Sequence, residues 1–390
     1  MSVTTTGTGF VALARPSLSE AEIAEVVATL ESGWLTTGPR VAAFEAAFAA
    51  WIGAPHAIAL NSCTAALHLS LLAAGIGAGD EVITTPLTFC ATANAIIHAG
   101  ATPVFADVDP VTRNLDPQAV REAISPRTRA IVAVHLGGHP ADIAALRAIA
   151  AGHGLVLIED AAHAIEAVSS AGKVGTTADY TCFSFYSTKN LTTGEGGMLT
   201  TPHADAEAFV RTAALHGLSR NGWSRYAQNG SPHYDVLLPG FKYNMMDLQA
   251  AIGLRQLERL DALYRRRAAI AARYDEAFAD LPIVTPAPVG PGERHAHHLY
   301  AVLVEESACG RSRDALQQAL AARGIGTSIH FRALHLHAFY AERFGLARGM
   351  FPQAERVSDT TLSLPLSAAL TDSEVDQVID AVRTELAGCA

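Results

Sequence analysis

Lysine is rare in this chain, and one of its lysines has a sequence context suited to amine chemistry. Of the 28 basic residues, only Lys173, Lys189 and Lys242 are lysine, so 25 (28 minus 3) are arginine. Arginine supplies surface charge but does not lose its proton to become a nucleophilic amine. Lys189 follows the apolar run 181–185, which is typical of a buried strand, and it precedes a glycine-rich turn. A lysine at the end of a buried strand is suited to hold a carbonyl compound as a Schiff base.

The other two lysines have less specific contexts. Lys173 is bracketed by glycines in the turn 171–175, so we expect a solvated loop cation there. Lys242 lies in the segment 240–244, just before a long helical pattern, and its role stays open at this point. Lys189 is therefore the candidate for lysine chemistry.

Polar residues follow two further apolar strands. In the segment 61–66 a strand leads directly into a helix, which would place a hydroxyl and free backbone amides where a phosphate can bind, although the same residues also make an ordinary N-cap. Asp160 follows the strand 155–158, and a carboxylate that emerges from a buried strand requires a cationic partner. Pyridoxal phosphate needs an anion site for its phosphate, a carboxylate for its ring nitrogen and a lysine for its aldehyde. Phe89 is a candidate to stack on the ring, although a single phenylalanine is more often part of a core.

Alternating strands and helices must position these residues. Apolar strands are predicted at 57–60, 81–84, 103–106, 130–134 and 155–158. Amphipathic helices are predicted between them at 64–74, 89–99, 116–124 and 140–153. This pattern predicts an α/β fold with a mostly parallel central sheet flanked by helices on both faces, whose ligands bind beyond the carboxyl ends of the strands.

The termini of the chain and the region after Lys189 complete the predicted organisation. Helices are predicted at 19–32, with Ser19 as the cap, and at 41–51. A polar, glycine-rich segment at 217–240 precedes a long helix at 247–279, and prolines and glycines cluster at 282–292. We therefore predict a large domain of residues 1–280 and a smaller C-terminal α/β domain of residues 281–390. The small domain is predicted to contain a strand at 299–304, an extended stretch at 327–330, and helices at 311–322 and 372–387.

Composition narrows the class of protein. The chain has 390 residues, 49% of them hydrophobic, and a net charge of −10, so it can bury a large core and is not expected to have nucleic acid as a partner. Five cysteines without a CxxC pair indicate neither a disulfide framework nor a metal site, and we expect them to be reduced. Neither a signal-peptide pattern in residues 1–16 nor an apolar run of membrane-spanning length is present, so a cytoplasmic location without membrane contact is expected.

Together these motifs resemble the DegT/DnrJ/EryC1/StrS family of sugar aminotransferases, which are fold type I pyridoxal phosphate enzymes that aminate nucleotide-linked keto sugars. The resemblance extends from about Arg15 to the C-terminus. Its motifs are SGWLTTGP at 32–39, EDAAH at 159–163, SFYSTK at 184–189 with GEGG at 194–197, and GFKYN at 240–244.

The resemblance implies a role for each matching residue around the cofactor ring. Lys189 would form the Schiff base with pyridoxal 5'-phosphate and, once released, move a proton between the substrate carbon and the cofactor. Asp160 would pair with the ring nitrogen, and Phe89 would stack on the ring. His163 stands where many relatives have glutamine, near the ring hydroxyl, and a neutral imidazole could donate a similar hydrogen bond.

The resemblance also implies phosphate and substrate contacts. Thr64, the amide of Ala65 and Ser184 would hold the phosphate, joined by Asn244 from the second subunit of a homodimer with shared active sites. Lys242 belongs to the same interface motif, where a structural role and a substrate contact are equally expected. Residues expected to contact the sugar nucleotide are Thr36, His330 and Arg332. Of these, Arg332 is suited to the diphosphate, because a guanidinium group can donate two parallel hydrogen bonds to it. For His297, His298 and His335, a packing role and a substrate contact both remain open.

The motifs HAHHLY at 295–300 and GTSIHFRALH at 326–335 resemble the branch that makes 4-amino-4-deoxy-arabinose on UDP. That branch implies L-glutamate as donor, with 2-oxoglutarate released, and amination at the C4 keto carbon of a UDP- or TDP-linked keto pentose. The alternative within the family is a TDP-linked keto hexose aminated at C3 or C4. Two alternatives lie outside it: a sugar dehydratase on the same fold, which typically has histidine at the Lys189 position, and a regulator without catalytic activity.

Overall fold

The computed structural model describes residues 9–219 and 234–387. The helices of this part of the chain are α1 (Glu20–Glu31), α2 (Pro39–Ile52), α3 (Cys63–Ala73), α4 (Cys90–His98), α5 (Pro117–Ala123), α6 (Ile143–His153), α7 (Ala204–Ala213), α8 (Asp247–Phe278), α9 (Glu306–Cys309), α10 (Arg313–Ala322), α11 (Ala338–Phe344), α12 (Pro352–Thr360) and α13 (Asp372–Leu386). The strands are β1 (His56–Leu60), β2 (Glu81–Thr84), β3 (Thr102–Phe105), β4 (Thr128–Val134), β5 (Val156–Asp160), β6 (Val168–Ser169), β7 (Gly172–Lys173), β8 (Tyr180–Ser184), β9 (Gly197–Thr201), β10 (Tyr300–Leu303) and β11 (Thr361–Leu364).

The helices and strands predicted from the sequence are present, with ends displaced by at most three residues. Ser19 caps α1 as predicted, since its side chain accepts from the Ala21 amide and Glu22 completes a capping box. Strand β9 was missed, because it begins at the second glycine of a Gly-Gly pair that we interpreted as a turn. The glycine-rich segment predicted at 217–240 lies in part outside the described residues.

A seven-stranded sheet organises the larger part of the chain. Its strand order is β1-β9-β8-β5-β4-β2-β3, and the pairs between β8 and β3 are all parallel. Strand β9 is antiparallel to both of its neighbours, β1 and β8. Since β1 and β8 consequently run in the same direction, the predicted mostly parallel sheet is confirmed. Apolar clusters cover both faces, one with α3 and α4 and the other with α5 and α6.

Helix α8 connects two apolar cores. Its N-terminal half packs on α1 and α2, and Leu257 and Leu260 join the core that contains Phe44 and Phe185. Its C-terminal half, from Ile270 to Phe278, packs with β10, β11, α10 and α13. The division of the chain at 280/281 stays a prediction, and α8 contributes side chains to both cores.

The expected solvation of Lys173 is wrong. Its Nζ lies 3.4 Å from the centre of the Trp51 ring and donates to the Trp51 carbonyl. Burial, with the nearby Arg294 charge, lowers the pKa of Lys173 to about 8. Lys173 is the last residue of the β6–β7 hairpin, and its side chain lies against the C-terminal end of α2.

A search of the described helices for a membrane-spanning segment finds none with the required length and apolar character.

Candidate active site

Strand register brings three separate chain segments to one edge of the sheet. Asp160, the last residue of β5, lies opposite Cys182 of β8 in the parallel pair. Ser184 ends β8 and faces Gly197 of β9, which in turn faces Leu60 at the end of β1. The carboxyl ends of β1, β8 and β5 therefore open at the same edge, where they line a cleft of about 580 Å³.

The first of these segments leads from β1 into the N-terminus of α3. Ser62 is the N-cap, and its Oγ accepts from the Ala65 amide at 3.1 Å. The amides of Cys63 and Thr64 have no acceptor in the part of the chain that the structure describes, and the side chain of Thr64 is exposed to the cleft. Free amides and a positive helix end make this terminus suitable for a phosphate group.

Gly197 allows β9 to pass close to this helix start. A Cβ at this position would overlap the backbone of Ser62 and Cys63. A residue without a side chain is therefore required here, and the requirement comes from the close approach of two backbones rather than from an unusual φ.

Asp160 is a buried carboxylate without an ion pair among the described residues. Its Oδ2 accepts from Thr92 Oγ1 at 2.8 Å, its Oδ1 accepts from the Ala162 amide at 3.2 Å, and the thiol of Cys63 lies 4.0 Å from Oδ1. Burial raises the pKa of Asp160, opposed by the hydrogen bond from Thr92 and by the charge of Lys189. A cationic N–H in the cleft would satisfy this carboxylate, as the positive partner predicted for it requires.

The preceding carboxylate, Glu159, has a different environment that was not predicted. Successive side chains of a strand point to opposite faces of the sheet, and Glu159 accepts from Thr177 at 2.8 Å and from Thr181 on the face away from Asp160. The Nε2 atom of buried His135 lies 3.7 Å from Oε1. Burial opposes ionisation of Glu159, but the nearby His135 imidazole and the threonine hydroxyls hold its pKa below the usual value.

Lys189 lies in the wall of the cleft, together with Asp160 and Ser184. Burial lowers the pKa of Lys189 to about 8, against the opposing effects of Cys63 and Asp160. Lys173 has a similarly lowered pKa but does not line the cleft, so location rather than basicity distinguishes the two amines. Lys189 is therefore placed to react with a carbonyl compound in the cleft.

Three histidines share the cleft with Lys189: His163, His298 and His330. The rings of His163 and His298 lie 4.4 Å apart, and the ring of Phe331 is stacked on His163 at 6.0 Å. Burial first, and the Lys189 charge second, lower the pKa of all three, to about 4 for His330. Among the described residues, no group of three or more histidine, cysteine, aspartate or glutamate side chains is arranged to hold a metal ion.

The aromatic residue predicted to stack on the cofactor lies at the mouth of the cleft. Phe89 is 59% exposed and directly precedes α4, with its ring 6.1 Å from that of Phe331 on the opposite wall. Phe89 and the buried Asp160 line the same cleft.

Several predicted site residues lie outside this chain's cleft. Asn244 donates to Thr37 Oγ1 at 2.7 Å and accepts from Lys242, while the carbonyl of Thr36 accepts from the Asp247 amide. Arg332 is exposed and donates to the Leu336 carbonyl. Of the histidines left open, His298 lines the cleft, whereas His335 is buried against Glu355 and His297 packs on His295.

The sequence and the fold were compared with those of known proteins. Residues 16–383 match the DegT/DnrJ/EryC1/StrS aminotransferase family. The spore coat polysaccharide biosynthesis protein SpsC of Bacillus subtilis is 51% identical over 381 residues, which cover 97% of this chain and 98% of that protein. The putative sugar aminotransferase Spr1654 of Streptococcus pneumoniae, solved in its PLP-form, is 33% identical with a TM-score of 0.91 and covers 98% of this chain and 100% of its own. The aminotransferase TlmJ of Streptoalloteichus hindustanus is 36% identical with a TM-score of 0.88, over 97% and 99% of the two chains.

The chain therefore belongs to the DegT/DnrJ/EryC1/StrS aminotransferase family. The predicted resemblance to this family of pyridoxal-phosphate-dependent sugar aminotransferases is confirmed, together with the fold type I architecture. The protein is an aminotransferase, and its cofactor is pyridoxal 5'-phosphate, as predicted. The buried carboxylate without an ion pair, the free helix amides and the amine in one cleft fit that cofactor.

Proposed function

We propose that the protein transfers the amino group of L-glutamate to the C4 keto carbon of a nucleotide-linked keto sugar, with a UDP- or TDP-linked pentose as the preferred substrate. The observation that carries the proposal is the meeting of Lys189, Asp160 and the N-terminus of α3 in one cleft. The relatives add support for sugar chemistry, since Spr1654 is described as a putative sugar aminotransferase and SpsC as a polysaccharide biosynthesis protein.

The cofactor would be held at three points. Thr64, the first amides of α3 and Ser184 would bind its phosphate, and Phe89 would cover one face of its ring; all of them line the cleft, and the ring of Phe89 is exposed. The Asp160 carboxylate would accept the ring N–H, which keeps that nitrogen protonated. When bound, pyridoxal phosphate supplies an electron sink for the charge that develops on the substrate carbon.

Lys189 would then serve as both anchor and proton carrier. An amine whose pKa is lowered to about 8 by burial is partly free of its proton near neutral pH, so its Nζ can accept a proton and return it. His163 and His298 are weaker proton acceptors than this amine, because burial lowers the pKa of both imidazoles well below the usual value.

The remaining volume of the cleft would receive the sugar. Its outer wall contains Leu13, Leu364 and Leu366 together with Phe331, which provide apolar contact for a sugar ring. His330 is the predicted sugar-nucleotide contact that lies in this wall, and its Nδ1 is 2.8 Å from Ser363 Oγ. We keep Arg332 and Thr36 as further contacts, with Arg332 for the diphosphate and Thr36 from a neighbouring subunit.

A homodimer with shared active sites would explain why Thr36 and Asn244 lie outside their own chain's cleft. Helix α1 exposes the apolar side chains of Ile23 (60%), Val27 (45%) and Leu30 (53%), and Leu35 and Met246 are also exposed beside Thr36 and Asn244. A continuous apolar face of this kind is unusual on a monomer and suits a second copy of the chain. Among the described residues, Cys63, Cys90 and Cys182 form no disulfide, in keeping with the cytoplasmic location that we propose.

Subunit complementation tests the shared site. We expect Lys189→Ala and Asn244→Ala homodimers to be inactive and their mixture, after exchange of subunits, to regain part of the wild-type activity. In the mixed dimer, one of the two clefts combines Lys189 with an intact partner Asn244. Equal inactivity of the mixture, with subunit exchange demonstrated by mass, would contradict the shared site.

Single-turnover measurements test the substrate. The protein is loaded with pyridoxamine phosphate and offered UDP- and TDP-linked 4-keto pentoses and hexoses separately, while the return of the visible absorbance of bound pyridoxal phosphate is followed. We expect rapid return with one 4-keto pentose. Rapid return only with a TDP-linked keto hexose would favour the alternative substrate, and no return with any sugar, while glutamate and 2-oxoglutarate interconvert the cofactor forms, would overturn the substrate proposal.

A further inference from the structure

The side-chain amide of Asn190, the residue after Lys189, has a fixed orientation. Its Nδ2 donates to Glu166 Oε2 at 2.7 Å and to the Ala296 carbonyl at 2.9 Å. Both of these partners are oxygen atoms that only accept. The reversed amide would place its oxygen against two acceptors, so Asn190 Oδ1 must be the atom that faces His298 Nδ1 at 3.1 Å.

This orientation determines the tautomer of His298. The Asn190 Oδ1 atom can only accept, so the proton of the neutral imidazole must be on Nδ1. The Nε2 atom of His298 then carries a lone pair and no proton. Burial lowers the pKa of His298 far enough to keep the ring neutral. The neighbouring charges of Lys189 and Arg267 lower it further, to a lesser degree.

A buried ion pair between Glu166 and Arg267 fixes the orientation of the Asn190 amide. Glu166 is 1% exposed, and its other carboxylate oxygen accepts from Arg267, which is 3% exposed on α8. A buried ion pair of this kind is costly to break on one side only, since the remaining charge would be left without a partner. The chain Arg267, Glu166, Asn190 and His298 therefore connects α8 with the wall of the cleft.

The neighbouring imidazole has the opposite tautomer. His163 Nδ1 accepts from the Gly137 amide at 3.2 Å, so a neutral His163 carries its proton on Nε2. Within the described residues, His163 Nε2 and His298 Nε2 have no hydrogen-bond partner. Neither is among the buried polar atoms without a partner, and both side chains line the cleft. His163 Nε2–H can therefore donate a hydrogen bond into the cleft, and His298 Nε2 can accept one from it.

We propose that His298 is a positioning residue whose Nε2 accepts a hydrogen bond from the Lys189 ammonium, and that Asn190, Glu166 and Arg267 fix the tautomer required for it. The inference rests on the proposed role of Lys189. A fixed acceptor stabilises the protonated amine and directs Nζ within the cleft, whereas the other tautomer would direct an N–H against it. The titratable groups that share the cleft wall with Lys189 are Cys63, Asp160, His163, Tyr186, Glu195, His298 and His330.

The basicity of Lys189 tests the proposal in the full-length protein from which cofactor has been removed. Lys189 is allowed to react with pyridoxal phosphate at a series of pH values, the product is reduced with borohydride, and the labelled peptide is quantified by mass spectrometry. We expect His298→Phe and Asn190→Leu each to lower the midpoint of the pH profile by about one unit, because each removes the fixed acceptor for a charged donor. His298→Gln, which places a carbonyl oxygen near the position of Nε2, should restore most of the wild-type midpoint.

Asn94→Leu is the matched control, because Asn94 accepts from Tyr340 at 2.6 Å and does not line the cleft. Unchanged midpoints in both His298→Phe and Asn190→Leu would overturn the inference while leaving the function intact. A wild-type protein in which Lys189 does not react would contradict the proposed function instead.

The tautomer can be measured in the wild-type protein, and a variant is needed only to assign the signal. In protein labelled with ¹⁵N-histidine, long-range ¹H–¹⁵N correlation spectra distinguish the two neutral tautomers, and His298→Gln identifies the signal of His298 by its loss. We expect a proton on Nδ1 of His298 and on Nε2 of His163. A proton on His298 Nε2 would overturn the proposal even if the variants at position 190 fail to fold.

Discussion

Asp160 and Cys182 are register partners in the parallel pair of β5 and β8. This pairing places the end of β5 beside the last residues of β8, and the turn after β8 then carries Lys189 into the same cleft. Asp160 and Lys189, which are 29 positions apart in the chain (189 minus 160), thus share one cleft because of hydrogen bonds between strand backbones. Substitutions at either residue should therefore alter chemistry without altering the sheet.

Replacement of Lys189 by alanine should abolish covalent retention of the cofactor and turnover. The side chain lines the cleft and is not part of the apolar clusters formed by the described residues, so we expect the far-ultraviolet circular dichroism and the melting temperature to remain close to wild type. Mass spectrometry after borohydride reduction measures the retention. Lys173→Ala is the control, since Lys173 lies against Trp51 outside the cleft; retention of label by Lys189→Ala would assign the chemistry to another amine.

Asp160→Asn should retain the cofactor but slow amino transfer by orders of magnitude. An amide cannot keep the ring nitrogen protonated, so the electron sink is weakened while the contacts to the phosphate persist. The single-turnover rate with glutamate measures the effect. Asp116→Asn is a suitable control because Asp116 is an N-cap, a position that asparagine fills equally well, and a near wild-type rate in Asp160→Asn would remove Asp160 from this role.

The reaction of Lys189 with pyridoxal phosphate should increase through a midpoint near pH 8. The ordinary pKa of a lysine is about 10.5, and burial lowers that of Lys189 to about 8, so the free amine is available at lower pH. The free energy of unfolding should also rise with pH in this range. Between pH 8 and 10.5 the unfolded chain binds the proton of this lysine more tightly than the folded chain, so a rise in pH shifts the equilibrium towards the folded state. A midpoint above pH 10 would show that burial does not perturb the amine.

Gly197→Ala should destabilise the protein by about 1–3 kcal/mol and weaken cofactor binding. The added methyl group would overlap the backbone of Ser62 and Cys63, which forms the start of α3. Urea denaturation and titration with pyridoxal phosphate measure the two effects. Gly152→Ala is the matched control: this glycine lies in α6 with nothing near its Cβ position, so alanine should be neutral or stabilise by roughly 0.5–1 kcal/mol. Equal stability of the two variants would contradict the proposed close approach.

The free energy of unfolding should decrease as pH falls from 6.5 to 4. Burial lowers the pKa of His297 to about 4, so in this range the unfolded chain binds a proton that the folded chain does not. Replacement of His297 by asparagine, which tolerates the local φ of 49°, should reduce the slope by up to about 1.4 kcal/mol per pH unit. His153→Asn, at an exposed position, is the control for loss of one histidine, and parallel slopes for wild type and His297→Asn would contradict the prediction.

Local sequence patterns were sufficient to predict the order of the elements and the reactive side chains. Apolar runs and helical periodicity are local properties, so strands and helices from β1 to α6 could be predicted to within three residues. The scarcity of lysine and the position of Lys189 after an apolar run indicated the amine, and Asp160 was indicated by the cost of a carboxylate at the end of a buried strand. Each of these inferences depends on neighbours along the chain.

The groups that surround these reactive side chains come from distant segments and could not be predicted from local patterns. Neither the insertion of β9 between β1 and β8 nor the lowered pKa of Lys173 over Trp51 has a signal in its local sequence. The tautomer of His298 depends on Asn190, Glu166 and Arg267, which come from three different segments and meet through packing. Hydrogen-bond partners and burial are properties of contacts between segments, and a pattern read along one segment does not contain them.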